Sequence, residues 1–273
     1  MFNQIRRRFH PLWRLRQWAW YRKVQDLVDP DVAIRMNGLE GLSEIVARSE
    51  PHPPPSRQGK CSQRSLLFAA WGGWGGWGGH AVDVFIDVGA NIGSYSWLAK
   101  EHRVSDIFIF EPDRTNCRLL MRTLRANRLE HVVLVPFAAS ASAGVTTFYP
   151  DRASGASGSL ENHCQNAHSL HAAYGMGESL AVPTLPLDLF ADFCHGKRVL
   201  IKIDVEGAEA SVFAGAMELI RQALPVIIVK CFEPSKLQVM KPLGYAIQSL
   251  EENGNYLLMP PGFVQPGWST QQC

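Results

Sequence analysis

The stretch Phe85-Ile86-Asp87-Val88-Gly89-Ala90-Asn91-Ile92-Gly93 decides how the rest of the chain is read. An apolar run ends in an acid and opens into glycines, the pattern of a buried strand that stops at Asp87 and turns into a helix. By period-2 alternation Val82, Val84 and Ile86 share one face of that strand, and Asp83, Phe85 and Asp87 the other. Gly89 and Gly93 permit a tight turn and close backbone approach, which at the carboxyl edge of a parallel sheet suits a nucleotide-type cofactor. Asn91 can stabilise the loop or donate to that cofactor. Glu111 ends the next apolar run, about twenty residues on, where an acid binds ribose hydroxyls in folds of this kind.

The glycine spacing is G-x-x-x-G and not G-x-G-x-x-G, which disfavours a dinucleotide gripped by its pyrophosphate. A cofactor without phosphate, such as S-adenosylmethionine, fits better. A second run lies over a hundred residues downstream: Ile201-Lys202-Ile203-Asp204-Val205-Glu206-Gly207-Ala208-Glu209. Taken together, Asp87 to Gly93, Glu111-Pro112 and Lys202 to Glu209 resemble the FkbM-type family of S-adenosylmethionine-dependent methyltransferases in motif, order and separation. The resemblance covers roughly residues 82 to 260. It implies a Rossmann-like class I methyltransferase fold: a mostly parallel, doubly wound α/β sheet closed by an antiparallel C-terminal hairpin. It further implies that Glu111 accepts the ribose hydroxyls and that the adenine lies at Phe137-Ala138-Ala139. The expected cofactor-binding set is thus Asp87, Gly89, Asn91, Gly93, Glu111 and Ala138, with the carboxylate of Asp87 facing the amino-acid end of the cofactor. In one respect the chain departs from the family, which commonly carries a glutamate where Lys230 stands.

The alternation of apolar strands with helical segments from Val82 onward independently indicates βαβ units and a parallel sheet. Strands are expected near 83–88, 106–111, 132–137, 198–204 and 225–230, and helices near 93–102, 113–127, 208–222 and 235–241. Asp113 or Thr115 can cap the second helix and Asn127 can end it. Tyr245–Leu250 and Tyr256–Met259, around Glu252-Asn253-Gly254-Asn255, read as a hairpin.

The expected organisation is a basic, aromatic and linker-rich extension over residues 1–80, a methyltransferase domain over 81–262, and a tail over 263–273. In the extension, seven basic residues precede the first acid, Asp26. Leu12, Trp13, Trp20, Val24 and Leu27 fit a helix that packs on the domain or lies at a membrane interface through residues 1–28. Pro51, Pro53, Pro54 and Pro55 mark a linker. The repeat Trp71-Gly72-Gly73-Trp74-Gly75-Gly76-Trp77-Gly78-Gly79 reads as a low-complexity insertion whose rings can also stack on a sugar or base. A net charge of +2 gives no chain-wide argument for nucleic acid, and none is expected as partner. Six scattered cysteines without a C-x-x-C pair indicate a reduced compartment. No apolar stretch has the length of a membrane span, and arginines and tryptophans interrupt any secretory h-region, so the cytoplasm is the default.

Alternation also puts Lys202 and Asp204 on one side of their strand, and Glu206 keeps that parity if the chain stays extended. A lysine inside a buried strand requires a partner, and Asp204 or a neighbouring strand acid can provide it. Asp204 and Glu206 are the candidates for orienting a hydroxyl acceptor and removing its proton. A structural role at the sheet edge, or a divalent cation between the two, are the other readings of the pair; two carboxylates do not make a metal site, and none is expected. His163, His168 and His171, in the Gly/Ser/Asn-rich region 151–180, read as a surface loop near the acceptor pocket, and any of them can serve as the base. The expected activity is O-methylation of a sugar, polyketide or other small metabolite, the acceptor class coming from the resemblance alone. The competing readings are a catalytically silent adaptor of the same fold that binds a glycan or membrane, and a nicotinamide-dependent dehydrogenase.

Overall fold

Seven strands form the central sheet of the computed structural model, which describes residues 82–150, 158–160, 179–250 and 254–263 and a small ribbon pairing Arg35–Met36 with Leu39–Glu40. The expected interfacial helix, the proline linker, the Trp-Gly repeat and the three loop histidines lie outside the described residues. In chain order the domain runs β1 (Val84–Val88), α1 (Ser94–Glu101), β2 (Asp106–Phe110), α2 (Arg114–Ala126) and β3 (Val132–Val135). Three strands of a smaller sheet follow: β4 (Ala138–Ala139), β5 (Gly144–Phe148) and β6 (Leu180–Leu185). A 3-10 turn (Leu187–Phe190) then leads through α3 (Ala191–Cys194) to β7 (Val199–Ile203), α4 (Glu209–Ala214), α5 (Met217–Ala223) and β8 (Val226–Lys230). A second 3-10 segment (Pro234–Leu243) precedes β9 (Ala246–Ser249) and β10 (Asn255–Met259).

The sheet order is β9-β10-β8-β7-β1-β2-β3. β3, β2, β1, β7 and β8 pair in parallel, whereas β10 runs antiparallel to both β8 and β9. This is the doubly wound, Rossmann-like α/β arrangement that the motif pattern implies. The terminal hairpin forms, and its last strand inserts between β9 and the parallel block. The order turns back between β1 and β7, so the loops after these strands diverge and leave a crevice at their carboxyl ends.

Both faces of the sheet are covered, which is why its strands read as near-continuous apolar runs. Alternation along β1 divides the core. Phe85 packs with Trp97 and Leu120 of α1 and α2, whereas Val84, Ile86 and Val88 join Val212, Phe213, Leu219 and Ile220 of α4 and α5. Helix α2 starts at Asp113, whose carboxylate accepts from the amides of Thr115 (2.7 Å) and Asn116 (3.1 Å), and ends at Asn127.

Several elements differ from the sequence expectation. The helix expected near 235–241 is 3-10, and the helical stretch Leu187–Cys194 was not expected. The helix expected over 208–222 is broken at Gly215-Ala216, where Gly215 passes so close to the chain at Ser140 that a Cβ would lie 2.0 Å from that carbonyl oxygen. The small sheet β4-β6-β5 was not expected: β5 is largely exposed, and Pro183 interrupts the apolar pattern of β6. At the amino-terminal edge, Arg198 clamps β1 to β7. Its backbone amide (2.9 Å) and Nε (2.8 Å) both donate to Asp83 Oδ2, and a further guanidinium nitrogen reaches Oδ1.

The hydrogen bonds from Arg198 hold the Asp83 carboxyl below its ordinary value against a smaller opposing effect of burial. A depressed acid stabilises the fold above its unfolded pKa and loses that contribution as pH falls through the folded one. Asp83→Asn is therefore expected to cost about 1 kcal/mol at pH 7, the pair being partly solvent-screened. In urea unfolding followed across pH, the gap between the two proteins should close below the ordinary carboxylate value of 3.8.

Candidate active site

An open cleft lies at the carboxyl ends of β1, β2 and β7. Its walls include Gly89 and Asn91 after β1, Glu111 and Pro112 after β2, Phe137 and Ala138 after β3, and Asp204 and Glu206 after β7. Phe148, Gly158 and Leu160, from the small sheet and its flanking loop, add an apolar wall. Six of the eight expected site residues thus meet around one space. The other two, Asp87 and Gly93, are not part of the cleft wall.

Glu111 is nearly sealed, and each of its oxygens already holds one loop amide: Asn91 N donates to Oε2 (2.7 Å) and Asp113 N to Oε1 (2.8 Å). Burial pushes its carboxyl up to about 7 even though these two amides pull the other way. Asn91 adopts a left-handed backbone (φ 55°), a conformation asparagine tolerates better than most residues. Its backbone donor therefore faces Glu111, and its side chain lines the cleft.

Asp87 lies one layer beneath. It is fully buried; Ser96 Oγ donates to its Oδ2 (2.7 Å), and Oδ1 has no hydrogen-bond partner among the described residues. Burial raises its pKa, partly offset by Lys202, directly across in the β1–β7 register. Lys202 is only 2% exposed. Its Nζ meets Asp204 Oδ2 (3.1 Å) and lies 4.4 Å from the Tyr95 ring centre. Burial disfavours its charge, but Asp204 and Asp87 outweigh that and leave its pKa above the ordinary value.

Both glycines make the tight turn, and each is also required by packing. Gly89 (φ +74°) lies so close to the loop after β7 that a Cβ would sit 2.1 Å from the Asp204 carbonyl oxygen. Gly93 (φ +81°) turns the chain into α1, and a Cβ there would lie 2.8 Å from both Leu120 and Trp97. Gly93 is thus required by helix packing beneath the site.

Asp204 is drawn in two directions. Burial favours the neutral acid, but Lys202 and Lys230 together outweigh it and hold the carboxyl below its ordinary value. Lys230 Nζ lies 3.5 Å from Asp204 Oδ1 and 2.5 Å from Glu206 Oε1. The extended parity expected for Glu206 does not hold. β7 ends at Ile203, and Glu206 has a left-handed backbone (φ 39°) before Gly207 (φ 110°). Its side chain reaches the same rim through this turn, and its carbonyl accepts from Ser159 Oγ (2.7 Å). Lys230 and the small sheet are the parts of the site that motif reading left unassigned. The sequence signs for Lys230 were a charged residue ending an apolar strand and the departure there from the family's usual glutamate. Among the described residues no group of three or more His, Cys, Asp or Glu side chains is placed to hold a metal.

Sheet order, crevice and lining residues together define a Rossmann-like class I methyltransferase domain. Residues 87–255, more than half of the chain, match the methyltransferase FkbM domain, and the chain belongs to that family. Comparison with curated protein sequences finds no match. Among solved structures, the methyltransferase FkbM of Methylobacillus flagellatus KT is 18% identical with a TM-score of 0.45. That match covers 65% of this chain and 43% of the other, so this chain spans less than half the length of that protein. Aeropyrum pernix fibrillarin with S-adenosyl-L-methionine is 12% identical (TM-score 0.35; 65% of this chain, 66% of that one). M. jannaschii TYW2 in complex with AdoMet is 11% identical (TM-score 0.36; 83% and 82%). No helix among the described residues is long and apolar enough to cross a membrane.

Gly89→Ala is expected to force the loops after β1 and β7 apart and to cost about 2–4 kcal/mol through overpacking and a disfavoured φ. Urea unfolding would measure the loss. Stability within about 0.5 kcal/mol of the parent would show that the two loops do not form one packed unit.

Proposed function

We propose that this domain is an S-adenosylmethionine-dependent O-methyltransferase acting on a hydroxyl of a sugar, polyketide or similar small metabolite. The observation that carries the cofactor assignment is Glu111: a buried carboxylate at the end of β2 that lines the cleft while fastening the loop after β1 to the start of α2. With S-adenosylmethionine bound, its sulfonium supplies a methyl already activated for displacement. The free lone pairs of Glu111 accept the ribose hydroxyls. Ala138, with Phe137 beside it, receives the adenine, and Gly89 and Asn91 bound the amino-acid end. Asp87 acts from beneath, through Ser96 and Lys202, and Gly93 by keeping α1 close.

Transfer forms an oxygen–carbon bond and breaks the sulfur–carbon bond, the sulfur keeping the electron pair; the hydroxyl proton must leave to a base. Alignment and exclusion of water supply most of the acceleration. Lys202 and Lys230 hold Asp204 ionised, and Lys230 also pairs with Glu206. The two carboxylates together orient the acceptor hydroxyl, and one of them takes its proton. Free, largely buried Cys117, Cys194 and Cys231 support a reduced, cytoplasmic setting. Peripheral membrane contact through residues 1–28 remains part of this reading, on composition alone.

The test is calorimetric titration with S-adenosylhomocysteine, with NAD as control. Saturable binding of the first alone is expected; binding of NAD alone would favour the dehydrogenase, and binding of neither the silent adaptor. Ribose hydroxyls donate to the ionised form of Glu111, so binding lowers its pKa from about 7 and releases a proton. Affinity should therefore rise with pH up to about 7 and then level, falling by up to about tenfold per unit below it. Glu111→Gln should bind more weakly and without this dependence. In the parent protein, identical apparent enthalpies at pH 6 in buffers of different ionisation enthalpy would refute the ribose assignment.

A further inference from the structure

A chain of alternating charges runs from the buried Lys202 through Asp204 and Lys230 to Glu206, and its two carboxylates line the cleft. Lys202 takes one oxygen of Asp204 at 3.1 Å, and Lys230 takes the other at 3.5 Å while reaching Glu206 at 2.5 Å. The four charges sum to zero. Lys230 is placed there by the sheet. It ends β8, one residue beyond the Val229–Ile203 pairing with β7, and stands opposite Asn255 of β10. Its ammonium also lies 5.5 Å from the ring centre of Phe232, which is 63% exposed.

Without Lys230, Asp204 and Glu206 would present two hard oxygen donors to the cleft without the ammonium that bridges them. Such a pair attracts a divalent cation or a protonated amine. We infer that Lys230 is the specificity-determining residue of the acceptor side, a tethered cation that occupies the space between Asp204 and Glu206. It bars divalent metals and charged amines and leaves an uncharged hydroxyl as the acceptor that the rim admits. An incoming cation must either sit beside the ammonium, where like charges a few ångströms apart repel strongly, or displace it and leave it without its counter-ions. A hydroxyl meets neither penalty. It can donate to a carboxylate oxygen while Lys230 keeps both ion pairs. This inference rests on the reading of the cleft as a methyl-donor pocket with its acceptor side at Asp204 and Glu206.

The test is a Mn²⁺ titration followed by electron paramagnetic resonance on the full chain, comparing the parent with K230M, K230R and the double variant K230M/D204N. S-adenosylhomocysteine binding and thermal unfolding serve as folding controls. The parent and K230R should bind Mn²⁺ equally weakly. K230M should bind it at least about tenfold more tightly, and adding D204N should abolish the gain. Equal Mn²⁺ binding by parent and K230M, or a folded K230M without an Asp204-dependent gain, would overturn the role given to Lys230. If K230M does not fold, K230Q, which keeps a hydrogen bond to Glu206 without the charge, should show the same gain. Absence of S-adenosylhomocysteine binding by the folded parent would refute the methyl-donor reading instead, and the Mn²⁺ comparison, which uses no cofactor, would still decide whether Lys230 bars cations.

Discussion

An ammonium sealed inside a parallel sheet is unfavourable unless opposite charge meets it, and the centre of this domain is arranged around that requirement at Lys202. Its own strand supplies Asp204 two residues further on, β1 supplies Asp87 directly across, and α1 supplies the face of Tyr95. Each partner is in turn committed. Asp204 also meets Lys230, and Asp87 takes the hydroxyl of Ser96. The two motif-bearing strands are therefore joined by charge within the core as well as by backbone hydrogen bonds, and neither loop can move without leaving a buried charge short of a partner.

The loops themselves are packed into one unit. The contact of Gly89 with the Asp204 carbonyl leaves no room for a side chain, and Glu111 ties the same glycine-rich loop to the start of α2. Glu111 and Asp204 then line one cleft and a third acid, Asp87, lies beneath it, in different electrostatic states. Burial raises Asp87 and Glu111, while two lysines depress Asp204. Groups whose environments push their pKa values apart can be assigned different tasks, here positioning from beneath, hydrogen-bond acceptance and a fixed negative charge.

On the proposed reading, the donor side and the acceptor side are built from different parts of the chain. The loops after β1, β2 and β3 make the first, with two of the three family motifs, and the third motif, Lys202 to Glu209, leads into the second. The second is made by the turn at Glu206, the end of β8 and the small sheet β4-β6-β5. Chemistry that differs among members of one fold is expected in such appended elements and strand-end residues, since the common sheet constrains them least.

Local residue pattern alone determined the parallel sheet, the strand–turn–helix at Asp87 to Gly93, a cap at Asp113 or Thr115 and the joint presence of Glu111 and Asp204 at one cleft. Each depends on short-range periodicity or on strand ends sharing an edge, which a linear pattern records. It also placed Lys202 and Asp204 on one side of β7, because side-chain alternation within a strand is strict. Only the tertiary structure decided the rest. It set Asp87 beneath the cleft instead of on its wall, and it assigned Gly93 to packing against Trp97 and Leu120. It also broke a helix at Gly215 where Ser140 crosses, turned Glu206 out of the extended line, and set Lys230 between two carboxylates from another strand end. All of these are contacts between residues far apart in the chain, and no period or spacing within a segment encodes which side chain another segment will bring against it.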